Sequence, residues 1–115
     1  MKAKVMILFE RFELEIMSAI AEEFFQDRDR IMAQYANSAK SRKFTGHGFY
    51  TNFSDIDPSL WLETDVNDTY GNVSARLNDE CDVGFVLFVR DGKITFLEGY
   101  TYGDDWPETI DKYSY

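Results

Sequence analysis

The stretch from Phe85 to Pro107 reads FVLFVRDGKITFLEGYTYGDDWP. Two runs of β-branched and aromatic residues flank Asp91-Gly92. That pair suits a two-residue type I′ turn, which needs positive φ at both central positions. Such a turn sets Val89 opposite Ile94, Leu87 opposite Phe96 and Phe85 opposite Glu98. One face then carries Phe85, Leu87, Val89, Ile94 and Phe96. The other carries Val86, Phe88, Arg90, Lys93, Thr95 and Leu97. A three-residue loop brings Lys93 beside Val89 and mixes the faces, so the need for one buried face selects the shorter turn. In this register Glu98 falls on the apolar face.

Outward from the hairpin, GNVSARL (residues 71–77) alternates as a strand, and NDECD (residues 78–82) is a polar connection. FTGHGFYTNF (residues 44–53) is aromatic and β-rich. It sets Gly46 and Gly48 on one side, which suggests close approach by another backbone or a helix, or a bulge. SDIDPS (residues 54–59) reads as a loop and LWLETDV (residues 60–66) as a short strand or turn.

The N-terminal part has a different period. Val5, Phe9, Phe12, Ile16, Ile20 and Phe24 recur in steps of three and four, which predicts an amphipathic helix over about Met6–Phe25. A short strand over Val5–Phe9 is the alternative. Glu10, Arg11, Glu13, Glu15, Ser18, Glu22 and Glu23 fall mostly on the polar side. Asp27 or Asp29 can cap a second helix carrying Ile31, Met32, Tyr35, Ala36 and Ala39. KSRK (residues 40–43) suits its last turn or just beyond, where cations meet the negative end of the helix dipole.

Helices first and strands afterwards predict an α+β fold. The expectation is one domain over residues 1–115: a helical part (1–43) and a β-sheet part with an acidic aromatic tail (44–115). Two N-terminal helices would pack on one face of a four- or five-stranded antiparallel sheet ending in the hairpin.

Composition narrows the function. The 115 residues are 44% hydrophobic and 17% aromatic, enough for a real core and too apolar for a disordered chain. No run approaches the roughly 20 apolar residues of a bilayer span. The apolar run Val5–Phe9 is too short for a signal-peptide core, and one cysteine, Cys81, makes no internal disulfide. Together these point to a cytoplasmic location. The formal net charge is −9, and it is unevenly placed. Residues 1–43 hold eight Lys/Arg and seven Asp/Glu, while residues 44–115 hold four and fourteen. A field of that sign repels nucleic acid and anionic lipid and attracts basic partners.

No catalytic constellation stands out. His47 is the one histidine, and Cys81 lies among acids that raise a thiol's pKa and blunt its nucleophilicity. The acids Asp55, Asp57, Glu63, Asp65 and Asp68 lack the alternation and glycine of a calcium loop. TGHG (residues 45–48) lacks the third glycine or the Lys-Ser/Thr of a phosphate loop. The reading is therefore neither an enzyme nor a metal or cofactor protein. One alternative stays open: Glu98, if buried on the apolar face, would take up a proton and serve as a general acid. It could pair with Glu63 or Asp104 in a pocket between helices and sheet, for a small enzyme or ligand-binding module.

The tail carries the stronger signal. Tyr100, Tyr102 and Trp106 follow the hairpin with Asp104 and Asp105 among them. Tyr and Trp dominate interface hot spots, and adjacent acids steer and orient a basic partner. The expected partner-binding set is Tyr102, Asp104, Asp105 and Trp106, helped by Asp55, Asp57, Asp65 and Asp68. The other reading of Tyr100, Tyr102 and Trp106 is that they cap the core at the sheet edge. Homo-oligomerisation through an exposed strand edge is open to any such sheet.

From Phe44 onward the chain resembles a family of small bacterial proteins without an established activity. Its marks are an FTG-x-GF-x-T-x-F strand, a GFVLFVRDG turn and an LEGYTY…WP ending, here Phe44–Phe53, Gly84–Gly92 and Leu97–Pro107. The helices match only in layout, and His47 stands where the pattern usually has an apolar residue. The resemblance implies the helix-on-sheet fold. With the acidity and the tail, the sequence reading is an inhibitor of a basic partner. Its sharpest form is an immunity protein or antitoxin against a basic bacterial toxin, possibly a nuclease of a contact-dependent inhibition system.

Overall fold

The computed structural model describes residues 8–115, with the backbone alone for Phe24 and Phe25. The fold is α+β. Helix α1 (Phe9–Ala21) tightens into a 3-10 segment (Glu22–Asp27) and continues as α2 (Arg28–Asn37). Six strands follow: β1 (Ala39–Phe44), β2 (Gly48–Ser54), β3 (Asp68–Leu77), β4 (Cys81–Arg90), β5 (Lys93–Thr101) and β6 (Tyr113–Ser114). They form one antiparallel sheet in the order β1-β2-β5-β4-β3-β6. Six strands replace the expected four or five, the additions being β1 at one edge and the two-residue β6 at the other.

Four expectations are corrected here. KSRK does not finish the second helix, which stops at Asn37; it is the middle of β1. A strand puts Lys40 and Arg42 on one face, and a buried acceptor there, Glu13, holds Arg42. The first helix also ends as α-helix at Ala21, short of Phe25; the predicted start at Met6 and most of the alternative strand over Val5–Phe9 lie outside the described residues. Asp27 occupies the N-cap of α2, but its side chain makes no capping hydrogen bond.

The fourth correction is the hairpin. Asp91 and Gly92 have φ of 53° and 76°, as a type I′ turn requires, and Val89 faces Ile94. One step further the ladder slips: Phe88 pairs with Phe96, Leu87 with Leu97, Val86 with Glu98 and Phe85 with Gly99. Thr95 is the extra residue of a β-bulge. A one-residue shift exchanges the faces of a strand, so Leu97 turns inward and Phe96 and Glu98 turn outward. Leu97 is fully buried beside Phe85, Leu87, Val89 and Ile94.

The core lies between the helices and the inner face of the sheet. Phe12, Ile16, Met17 and Ile20 of α1 and Ile31 and Tyr35 of α2 cover Phe49, Leu77, Val83, Phe85 and Leu87. Two polar ties lock the layers. Glu13, on α1, is fully buried. It accepts hydrogen bonds from Tyr35 Oη (2.6 Å), Thr51 Oγ1 and two nitrogens of Arg42, at 2.7 and 3.1 Å. Gln34, also buried, donates to the carbonyls of Leu60 and Gly92 and accepts from the Ile94 amide, fixing α2 to the hairpin turn. The outer face of the sheet carries no helix among the described residues.

Candidate functional site

The two ends of the sheet are different places. β5 separates them by about 25 Å at roughly 3.3 Å per residue. The hairpin-turn end holds Asp55, Asp57, Glu63, Asp65, Asp68 and Asp91. The opposite end holds the Gly46 turn, His47, Tyr102 and the segment from Asp104 to Ile110. The predicted partner-binding residues are therefore split: Asp55, Asp57, Asp65 and Asp68 do not join Tyr102, Asp104, Asp105 and Trp106.

At the turn end, several acids do local work. Asp57 accepts from the Ser59 amide at 2.9 Å and starts a short 3-10 turn, which holds its carboxyl below the usual range. Asp68 accepts from the amide of Thr69, and its carbonyl accepts from Arg90. Asp55 and Asp65 are exposed, and Asp55 sits at positive φ (56°).

At the opposite end, β5 runs out into a tail that folds back over the sheet. Thr101 donates its hydroxyl to the Asp104 carbonyl, and the Trp106 amide donates to the Gly46 carbonyl at 2.8 Å. These bonds leave the Asp104 and Asp105 side chains exposed while drawing Trp106 inward. Its ring packs edge-on against Phe49 and Phe12, at 5.5 and 6.4 Å between centroids. Trp106 is thus largely a core cap, and Tyr102, 63% exposed, is the more exposed of the two, its ring edge-on to Tyr100 at 5.5 Å.

Between the tail and the start of α1 lies a cleft of about 570 Å³. Among the described residues its wall is mainly Leu8, Phe9, Phe44, Trp106, Pro107 and Ile110. Leu8 and Phe44 are 71% and 57% exposed, an unusual load of apolar surface for so acidic a chain. Glu108 is at the wall, and His47 Nδ1 lies 3.2 Å from the Asp104 carbonyl and 3.8 Å from an Asp105 carboxylate oxygen. The arrangement is an apolar slot with one acid, Glu108, in its wall and Asp104 and Asp105 exposed on the turn before Trp106. Such a cleft can bury an apolar side chain, and the exposed acids beside it can attract cations.

Cys81 adjoins the same segment, its Sγ 3.9 Å from the Asp105 carbonyl. Burial first, then Asp104, Asp82 and Glu80, push its thiol up, so it is a poor nucleophile. His47 and Cys81 each direct a polar atom to the 104–105 backbone. Among the described residues no three acids, histidines or cysteines are grouped as metal ligands would be.

Glu98 is corrected outright. The Thr95 bulge places it on the outer face between Tyr50 and Val86, where it accepts from Tyr50 Oη at 2.9 Å. It lines no pocket between helices and sheet. Glu63 is at the turn end, next to the Leu62 amide that donates to Gly92, and Asp104 is at the other end.

Sequence reading missed Glu13 and Gln34, both assigned to or left on polar surface. The signal was present: Glu13 stands four residues after Phe9 and three before Ile16, inside the apolar stripe. It placed Phe88 on the outer face correctly but missed its neighbours there, Tyr50 and Phe96, the latter because the unbulged register buries it.

No helix among the described residues is long and apolar enough to cross a membrane. Compared with protein-family models, curated proteins and solved structures, the chain matches none of the three.

Proposed function

We propose that the chain is a protein-binding inhibitor that seats a basic partner on its tail pole. Its sharpest form is an immunity protein or antitoxin for a basic bacterial toxin domain such as a nuclease. The observation that supports this is the apolar cleft lined by Leu8, Phe44 and Trp106, with the exposed Asp104 and Asp105 on the turn that leads into Trp106. An apolar anchor in the cleft would supply most of the affinity, and the acids would set the on-rate and orientation. The turn-end acids belong to a separate surface and leave the binding set.

The test begins with affinity capture of the tagged chain's basic partner from its host, in low-salt and high-salt washes. Titration of that partner against variants follows. Asp104→Asn with Asp105→Asn weakens binding at low salt and narrows the difference between the two salts. Phe44→Ser weakens it at both. Unchanged affinity in both variants overturns the assignment.

A further inference from the structure

The sheet has two edges, and they are finished differently. On one side β3 is interrupted between Tyr70 and Val73, and its end is covered by β6. Bulges and short covering strands blunt an edge against further pairing. On the other side β1 pairs with β2 through six consecutive residues, without bulge or proline. Among the described residues no strand takes its far side.

The ladder shows which backbone groups are open there. The Thr45 amide donates to the Gly48 carbonyl at 3.0 Å, so that pair and every second pair after it exchange hydrogen bonds. Lys43 and Ser41 therefore bond to Tyr50 and Asn52. The amides and carbonyls of Lys40, Arg42 and Phe44 point away from the sheet.

The side chains select what could pair with them. β1 holds Lys40, Arg42 and Lys43 and no acid. Glu13 compensates Arg42. Lys40 donates to the carbonyls of Tyr35 and Ser38, and Lys43 is exposed, so both keep their charge. The exposed acid nearest them is Glu10 on α1, whose field reaches Arg42, and it leaves β1 a positive excess. Glu98 lies two strands further in, about 10 Å away, and Asp55 lies beyond the Ala39 end. A strand laid along Lys40–Phe44 meets Lys43 more closely than either acid. Phe44, 57% exposed, gives the edge an apolar end at the cleft.

We propose that β1 receives, as an added antiparallel strand, an extended acidic segment of another protein. That segment places an apolar residue opposite Phe44 and acids opposite Lys43 and Lys40. Backbone pairing supplies the affinity and charge supplies the choice. A second copy's β1 would set cations against cations, and residues 1–7 bring Lys2 and Lys4 with no acid. The site is distinct from the acids of the tail pole; Phe44 alone is common to both.

An isotope-labelled full chain titrated with the peptide acetyl-Thr-Leu-Glu-Val-Thr-Glu-Val-amide tests this by NMR. In register, its leucine faces Phe44 and its glutamates face Lys43 and Lys40. Up to about 5 mM peptide shifts the β1 amides and slows exchange at Arg42 and Phe44, and high NaCl weakens the effect. N-methylation of the first valine, whose amide faces β1, abolishes binding. N-methylation of the second threonine, whose amide faces solvent, does not. Lys43→Glu, confirmed folded by circular dichroism, weakens binding about fivefold or more. Asp104→Asn with Asp105→Asn leaves it unchanged, so this proposal and the basic-partner reading fail separately. No shift in β1 overturns the proposal, as does binding that ignores the valine methylation or Lys43→Glu. So does concentration-dependent protection of Arg42 and Phe44 without peptide, which makes a second copy the occupant.

Discussion

Glu13 and Arg42 meet through two hydrogen bonds, at 2.7 and 3.1 Å, although Glu13 on α1 is completely buried and Arg42 lies on the edge strand β1. Burial alone would push the Glu13 carboxyl up. The bonds from Arg42, Thr51 and Tyr35 outweigh burial and hold it below its ordinary value. The same bond, after burial, pushes the Tyr35 phenol up. This tie explains why a run of four polar residues after a helix becomes a strand.

Removing the acceptor strands three donors at once. Glu13→Ala therefore destabilises by about 3–5 kcal/mol, read as a lower urea midpoint. Arg42→Ala leaves a buried carboxylate without its cation and is also severe. The two losses are far from additive in the double variant, and additive losses would show that the pair does not act as a unit.

The depressed pKa of Glu13 has a pH signature. The unfolded chain binds this proton more readily than the folded one, so the contribution is complete above the unfolded value near pH 4.5 and is lost as pH falls through the lower folded value. Urea titrations across the acid range show stability falling with pH in the wild type. In Glu13→Gln that limb is shallower. Parallel limbs would remove Glu13 from the account.

The Thr95 bulge predicts an unusual tolerance. Deleting Thr95 leaves Val89 opposite Ile94, Phe88 opposite Phe96 and Leu87 opposite Leu97, all on their present faces. The deletion costs about 1–2 kcal/mol through lost twist and keeps cooperative unfolding. In an unbulged hairpin the same deletion would turn every following side chain to the wrong face and abolish folding.

Two glycines in left-handed backbone separate strain from collision. Gly46 (φ 86°) has open space where a Cβ would go, so Gly46→Ala costs about 1 kcal/mol from the dihedral alone. Gly92 (φ 76°) would place a Cβ 2.4 Å from the Leu62 carbonyl oxygen. Gly92→Ala costs several times more because backbone has to move, and thermal melts of the two variants side by side check the difference.

Gln34→Leu keeps the volume and removes three hydrogen bonds to backbone groups of Leu60, Gly92 and Ile94. A loss of at least about 2 kcal/mol follows from the groups left unpaired. Amide exchange at Ile94 speeds up in step. A neutral result would mean that water replaces the amide.

The sequence by itself determined what depends on neighbours along the chain. Steps of three and four mark α1, alternation marks β3 and β4, and Asp91-Gly92 dictates the turn because positive φ is a property of those two residues. The acidity of the tail and the exposure of Asp104 and Asp105 were legible in the same way. Tertiary structure decided what depends on contacts between distant segments. Where the hairpin slips is set by which of Phe96 and Leu97 fits in the core between sheet and helices, and that places Glu98 outside. Whether KSRK extends a helix or forms an edge is set by Glu13, 29 residues before Arg42. The division of the acids between two poles is set by the length of β5. Local pattern assigns a residue to a face. Only packing against the other layer determines which face is inside.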